Sequence, residues 1–93
     1  MHAVVAHVTI DPSRIADAEK MLHERVLPMV RGSNGFISGV WTHQPNGKGV
    51  SIATFATEQD AQAVITQVQS EGMPLDSPVT VDSMEVYTVA GTA

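Results

Sequence analysis

Residues 2–10 alternate. Val4, Ala6, Val8 and Ile10 form one wholly apolar set, and Ala3, Val5, His7 and Thr9 form a mixed one. In an extended strand the two sets point to opposite faces. The first set calls for a covering layer. The second carries enough apolar surface to call for one as well, and later strands repeat that mixture.

The periodicity changes after Asp11-Pro12, which ends the strand and opens a helix with Asp as N-cap and Pro at the first helical position. Ile15, Ala18, Leu22, Val26 and Met29 recur at spacings of three and four, which is one apolar stripe of a helix, while Asp17, Glu19, Lys20, Glu24 and Arg25 fill the remaining surface. Pro28 predicts regular helix to about Leu27 and a looser turn through Arg31, because an interior proline removes a backbone donor. Gly32-Ser33-Asn34-Gly35 is a loop.

Residues 36–44 and 50–55 are rich in β-branched and aromatic side chains, with Pro45-Asn46-Gly47-Lys48-Gly49 between them. Asn-Gly between two such runs predicts a hairpin, both residues accepting positive φ. Thr57 followed by Asp60 resembles a capping box and opens a second helix to about Ser70, with Ala61, Val64, Ile65 and Val68 as its stripe. Gly72, Pro74 and Pro78 break that helix ahead of a last strand over residues 79–89.

The order strand, helix, strand, strand, helix, strand predicts an α+β, ferredoxin-like split β-α-β fold (βαββαβ). Right-handed crossovers put both helices on one face of a four-stranded antiparallel sheet of order 4-1-3-2. The chain, 93 residues long, is expected to form a single domain over 1–93.

Strand parity then predicts the faces. Val4, Ala6, Val8 and Ile10 are assigned to the helix side with Phe36, Val40, Val50, Ile52, Met84 and Val86. Val5, His7, Ile37, Trp41, His43, Ala53, Phe55, Ser83, Glu85 and Tyr87 are assigned to the open side. An open face of that composition exceeds the few hundred Å² of apolar patch that monomers usually tolerate. It predicts a homodimer joined through these faces, with His7, Trp41, His43, Phe55, Glu85 and Tyr87 as ligand-pocket or interface candidates.

Composition narrows the partners. The net charge is −5, and no cation follows Lys48. Phosphate-dominated binding needs clustered Lys and Arg, so nucleic acid is not an expected partner. Without cysteine there is no disulfide and no thiolate metal site. The histidines show no ligand-like spacing, so neither a metal nor another cofactor is expected. Residues 1–10 lack the basic and apolar regions of a secretory signal, and no stretch is apolar enough to span a membrane, which predicts a cytoplasmic protein with no membrane partner.

The run Val4-Val5-Ala6-His7-Val8-Thr9-Ile10-Asp11-Pro12, the loop-to-strand Asn34-Gly35-Phe36, and Phe55-Ala56-Thr57-Glu58-Gln59-Asp60-Ala61 resemble the dimeric α/β-barrel superfamily, in particular proteins of the antibiotic biosynthesis monooxygenase type. The resemblance implies a homodimer whose sheets close into an eight-stranded barrel. It also implies a place among cofactor-independent oxygenases of aromatic polyketides or quinols, haem-degrading enzymes, or the many small members of no assigned activity. The haem-degrading branch uses an Asn on strand one, a Trp, and a His on the second helix, where this chain has Ala6 and, over 58–71, neither His nor Trp. The oxygenase branch places Asn, Trp, Tyr or Arg around a cleft between sheet and helices, and none of these is on the helix-side set above.

Two functions follow as expectations. One is a cofactor-independent monooxygenase in which His7 or His43 deprotonates a small aromatic or quinol-type molecule held by Trp41, Phe55 and Tyr87. The other is a non-catalytic ligand-binding or purely structural dimer, its histidines hydrogen-bonded in the interface and its aromatic rings serving as anchors.

Overall fold

The structure is a computed structural model that describes residues 1–72 and 74–93. Its elements are β1 (His2–Ile10), a 3-10 turn (Pro12–Arg14), α1 (Ile15–Met21), a π turn (Leu22–Val26), α2 (Leu27–Arg31), β2 (Phe36–His43), β3 (Lys48–Phe55), α3 (Glu58–Glu71) and β4 (Val79–Thr88). The sheet order is β2-β3-β1-β4 and every pairing is antiparallel, the split β-α-β arrangement that the element order predicts.

Local chemistry explains the boundaries. The Asp11 carboxylate accepts from the Ser13 backbone N–H at 3.0 Å and the Ser13 hydroxyl at 2.7 Å, which fixes the entry to the first helical segment. Thr57 Oγ1 accepts from the Asp60 N–H at 3.1 Å, and α3 starts there. Both caps satisfy donors that a helix start otherwise leaves without partners.

Two turns depart from the sequence expectation. Pro28 does not end the helix; it stands in the first turn of α2, just past a π turn in which the Leu27 N–H reaches back to the Leu22 carbonyl. Shifting the hydrogen-bond register one residue before the proline takes up its missing donor and its ring without stopping the chain. In the hairpin only Gly47 has positive φ, at 92°. Pro45 sets an ordinary turn in which the Gly47 N–H donates to the Gln44 carbonyl at 2.9 Å, and Gly47 alone makes the left-handed step. The Gly47 carbonyl then accepts from the Ile10 N–H at 2.7 Å, so the hairpin tip is tied to the end of β1.

The core lies between the helices and one face of the sheet. Val4, Ala53 and Phe55 meet Val30 of α2 and Ala61, Val64 and Ile65 of α3, with Val26, Met29, Phe36, Trp41, Val68, Met84 and Val86 packed around them. Phe55 has no exposed surface, and the Phe36 ring meets its ring edge to face at a centroid distance of 5.8 Å.

That core corrects the face assignment on two strands. Val4 pairs with Ala53 and His2 with Phe55, so the helix side of β3 is Ser51, Ala53 and Phe55, while Val50 and Ile52 are exposed on the open side. On β2 a register shift between Phe36 and Ser38 inserts one residue. Phe36, Gly39, Trp41 and His43 therefore share the helix side, and Val40 faces outward at 54% exposure. A bulge reverses every side chain beyond it, which is how Phe36 and Trp41 come to share a face despite opposite parity. β1 and β4 keep their expected faces near the middle of the sheet, Val4 pairing with Val86 and Ala6 with Met84.

Candidate functional site

The expected cluster of six residues divides between the two faces. His7, Glu85 and Tyr87 stand on the open side of β1 and β4, where His7 Nδ1 lies 3.3 Å from the Ser83 hydroxyl and Tyr87 is 48% exposed. Trp41, His43 and Phe55 stand on the helix side. His7 and His43 are thus on opposite faces as well as on non-adjacent strands, and they cannot act as one proton-transfer pair. Phe55 is enclosed core and offers no ring face to a ligand.

Moving Trp41 and His43 to the helix side builds a cleft. It is an open groove of about 660 Å³ between β2 and the α1–π–α2 segment, lined by Glu19, Leu22, His23, Leu27 and Arg31 from the helical side. Phe36, Gly39, Trp41 and His43 line it from the helix-facing side of β2, and Ser38 and Val40 border it along the edge of that strand. A groove of this volume falls in the range that takes a small molecule.

Its floor is the indole. Trp41 lies over Gly39, where an added Cβ would come within 2.7 Å of Trp41 Cζ3. Glycine at that position is what lets the ring lie flat along the strand. Trp41 also packs against the core, so its position is held from below.

At one end His43 Nε2 lies 3.2 Å from Glu19 Oε1, a histidine–carboxylate pair joining β2 to α1. A carboxylate on one ring nitrogen fixes the orientation of the imidazole. At the other end, next to the loop into β2, is Arg31, which forms no ion pair among the described residues.

Glu19, His23 and Arg31 are absent from the sequence candidates because Glu19 reads as one of many solvent-facing charges on an amphipathic helix. A usable signal is present: Glu19, His23, Leu27 and Arg31 recur every fourth residue. Among the described residues no three His, Cys, Asp or Glu side chains converge as a metal site would require, and no helix is long and apolar enough to cross a membrane.

No family model matches the sequence, and no curated protein matches it. Solved structures do. The haem degrader MhuD of Mycobacterium tuberculosis, determined with two haems in its active site, is 13% identical with a TM-score of 0.75, over 100% of this chain and 99% of that one. SnoaB, a cofactor-independent oxygenase of Streptomyces nogalater, is 12% identical with a TM-score of 0.64, over 98% and 94%. A Streptomyces coelicolor monooxygenase from the gene ActVA-Orf6, in complex with nanaomycin D, is 18% identical with a TM-score of 0.61, over 99% and 89%. Identities this low carry architecture rather than activity: this chain shares the fold of those three proteins.

Proposed function

We propose that this protein is a homodimeric, cofactor-independent monooxygenase whose substrate is a small planar phenol bound in the cleft over Trp41. The observation that carries the proposal is the His43–Glu19 pair, 3.2 Å apart, at the rim of a groove floored by an indole. A general base beside an aromatic floor is what such a reaction needs from the protein. Trp41 stacks on the substrate ring, His43 takes the phenolic proton, and Glu19 holds the imidazolium that results. The phenolate supplies electrons to dioxygen. For a substrate with a ring methylene, a C–O bond forms at that carbon and the resulting hydroperoxide loses water. Overall, one methylene and one dioxygen become one ketone and one water: the carbon gives up both hydrogens and gains one oxygen atom, and the second oxygen atom leaves with those hydrogens. The substrate itself supplies all the electrons, so no external reductant is needed.

A haem-based reaction has less support. Ala6 occupies the strand-one position where that branch has Asn, and Glu58–Glu71 supplies no His, Cys, Met, Tyr or Trp. The homodimer is supported by the open face, where Ile37, Val40, Val50, Ile52 and Tyr87 are all more than one-third exposed. Apolar exposure on that scale is ordinarily covered by a second surface.

The test is oxygen uptake with 1,8-dihydroxyanthrone, a phenol with a ring methylene. The expected result is protein-dependent uptake of one dioxygen per anthraquinone formed, falling by about 10²-fold or more in His43→Ala. Uptake equal to the protein-free rate, or unchanged by His43→Ala, overturns the proposed chemistry. Binding of the anthrone without uptake leaves a ligand-binding module instead.

A further inference from the structure

The helical wall of the cleft has a geometry that a plain α-helix does not give. Glu19, His23, Leu27 and Arg31 are each four residues apart, and all four line the groove. In a regular α-helix at 3.6 residues per turn, twelve residues would carry Arg31 about 120° around the axis from Glu19. That would turn its side chain away from β2. The π turn at Leu22–Val26 absorbs one residue, with the Leu27 N–H on the Leu22 carbonyl, and removes about 100° of the drift. The four side chains then fall in a nearly straight row facing the strand.

The row has distinct ends. Glu19 at one end is engaged by His43. Arg31, at the other end beside Phe36, is a cation lining the groove with no carboxylate within salt-bridge distance among the described residues. Its isolation is notable in a chain that carries twice as many acidic residues as Lys and Arg, 10 against 5. Between the ends are Leu27 and the Trp41 ring. Twelve residues at 1.5 Å give a row of roughly 18 Å, which leaves room for two or three fused rings once the end side chains reach inward.

We infer that the cleft selects planar phenols bearing an anionic group at the end opposite the phenol, with Arg31 as the anion-binding residue brought into line by the π turn. The inference rests on the proposed site over Trp41 but requires no oxidation. A guanidinium matches a carboxylate in a bidentate fork, and Arg31 has that fork to offer. The anionic end is seated at Arg31 and the hydroxyl is thereby directed to His43.

The probes are 6-hydroxy-2-naphthoic acid, with its carboxylate and hydroxyl at opposite ends, and 2-naphthol, which has the same rings without the carboxylate. Binding is followed by naphthalene fluorescence and confirmed by calorimetry under anaerobic conditions. The acid is expected to bind about tenfold or more tightly than the naphthol. Arg31→Gln is expected to remove that preference by weakening the acid about tenfold or more, and Arg31→Lys to restore part of it. Equal affinity of the two probes for the wild-type protein, a preference that survives Arg31→Gln, or no binding of the acid overturns the inference. Failure of the oxidation alone would show as acid preference without oxygen uptake, so the two proposals fail by different readouts.

Discussion

Both faces of the sheet carry apolar side chains, and they differ in what stands among them. On the helix side Phe55 is fully enclosed, Phe36 and Trp41 pack against the same core, and the groove that remains is lined by His43, Glu19, His23 and Arg31. On the open side Val40, Val50 and Ile52 form an aliphatic surface with Ile37, and polar groups pair locally, His7 with Ser83 and Thr9 with Asp82. Aliphatic residues with few directional groups suit a second copy of the sheet. An indole beside a histidine–carboxylate pair and an arginine with no ion pair among the described residues suits a small, functionalised ligand. Apolar content alone therefore does not separate an interface from a pocket. What separates them is where directional chemistry faces an unfilled volume.

The comparison breaks most visibly at Phe55 and Ile52, three residues apart on one strand and on opposite sides. Phe55→Ala removes a side chain with no exposed surface and leaves its Phe36 contact empty, so urea unfolding should show a loss of about 3–5 kcal/mol. Ile52→Lys should act on association rather than on the fold of the subunit. A lysine on the open face introduces an unpaired charge where two sheets are proposed to meet, at a cost of about 3 kcal/mol. Sedimentation should therefore move from a dimer toward the mass of one 9.9 kDa chain while naphthol binding in the cleft is retained. Wild-type protein that sediments as a monomer would remove the proposed role of the open face. An Ile52→Lys variant that unfolds like Phe55→Ala would contradict the division between faces.

Much of this architecture is legible in the chain. Asp11-Pro12 and Thr57 mark the helix starts, Asn46-Gly47 marks the hairpin, and the element order gives the sheet order. The faces of β2 and β3 are not legible, for a specific reason. In Val50-Ser51-Ile52-Ala53-Thr54-Phe55 both alternating sets contain apolar residues, so parity is undecided until the large Phe55 ring finds the space over β1. In β2 the bulge after Phe36 separates Phe36 from Trp41 in parity, and nothing local in the residues announces it. Those two shifts moved Trp41 and His43 from the open face into the cleft. The π turn hid the helical wall in the same way. A stripe counted at α-helical spacing runs through Ile15, Ala18, Leu22 and Val26 and passes over the row Glu19, His23, Leu27 and Arg31.

The smallest effect concerns how the helical layer is anchored to the sheet. Asp11 closes β1 and caps the helical segment that forms one wall of the cleft. Hydrogen bonds from the Ser13 hydroxyl and then the Ser13 backbone N–H hold its carboxyl below the ordinary value of 3.8, with the nearby Arg14 charge adding to the effect. Because the folded-state value is the lower one, the unfolded chain binds the proton more readily in acid. The stabilisation is thus fully present above about 3.8 and is lost as pH falls through the depressed folded value. The melting-temperature advantage of wild type over Asp11→Ala should be largest near neutrality and narrow in acid below that point, toward the advantage that an uncharged capping oxygen gives. Asp11→Asn keeps a capping oxygen without a titrating proton and should hold its melting temperature relative to Asp11→Ala across the same range. A wild-type advantage over Asp11→Ala that is flat with pH would mean that the carboxylate charge contributes nothing at this cap. Dimer mass above about pH 4 should be the same in all three proteins, since Asp11 lies beyond the aliphatic surface on which the second sheet is proposed to rest.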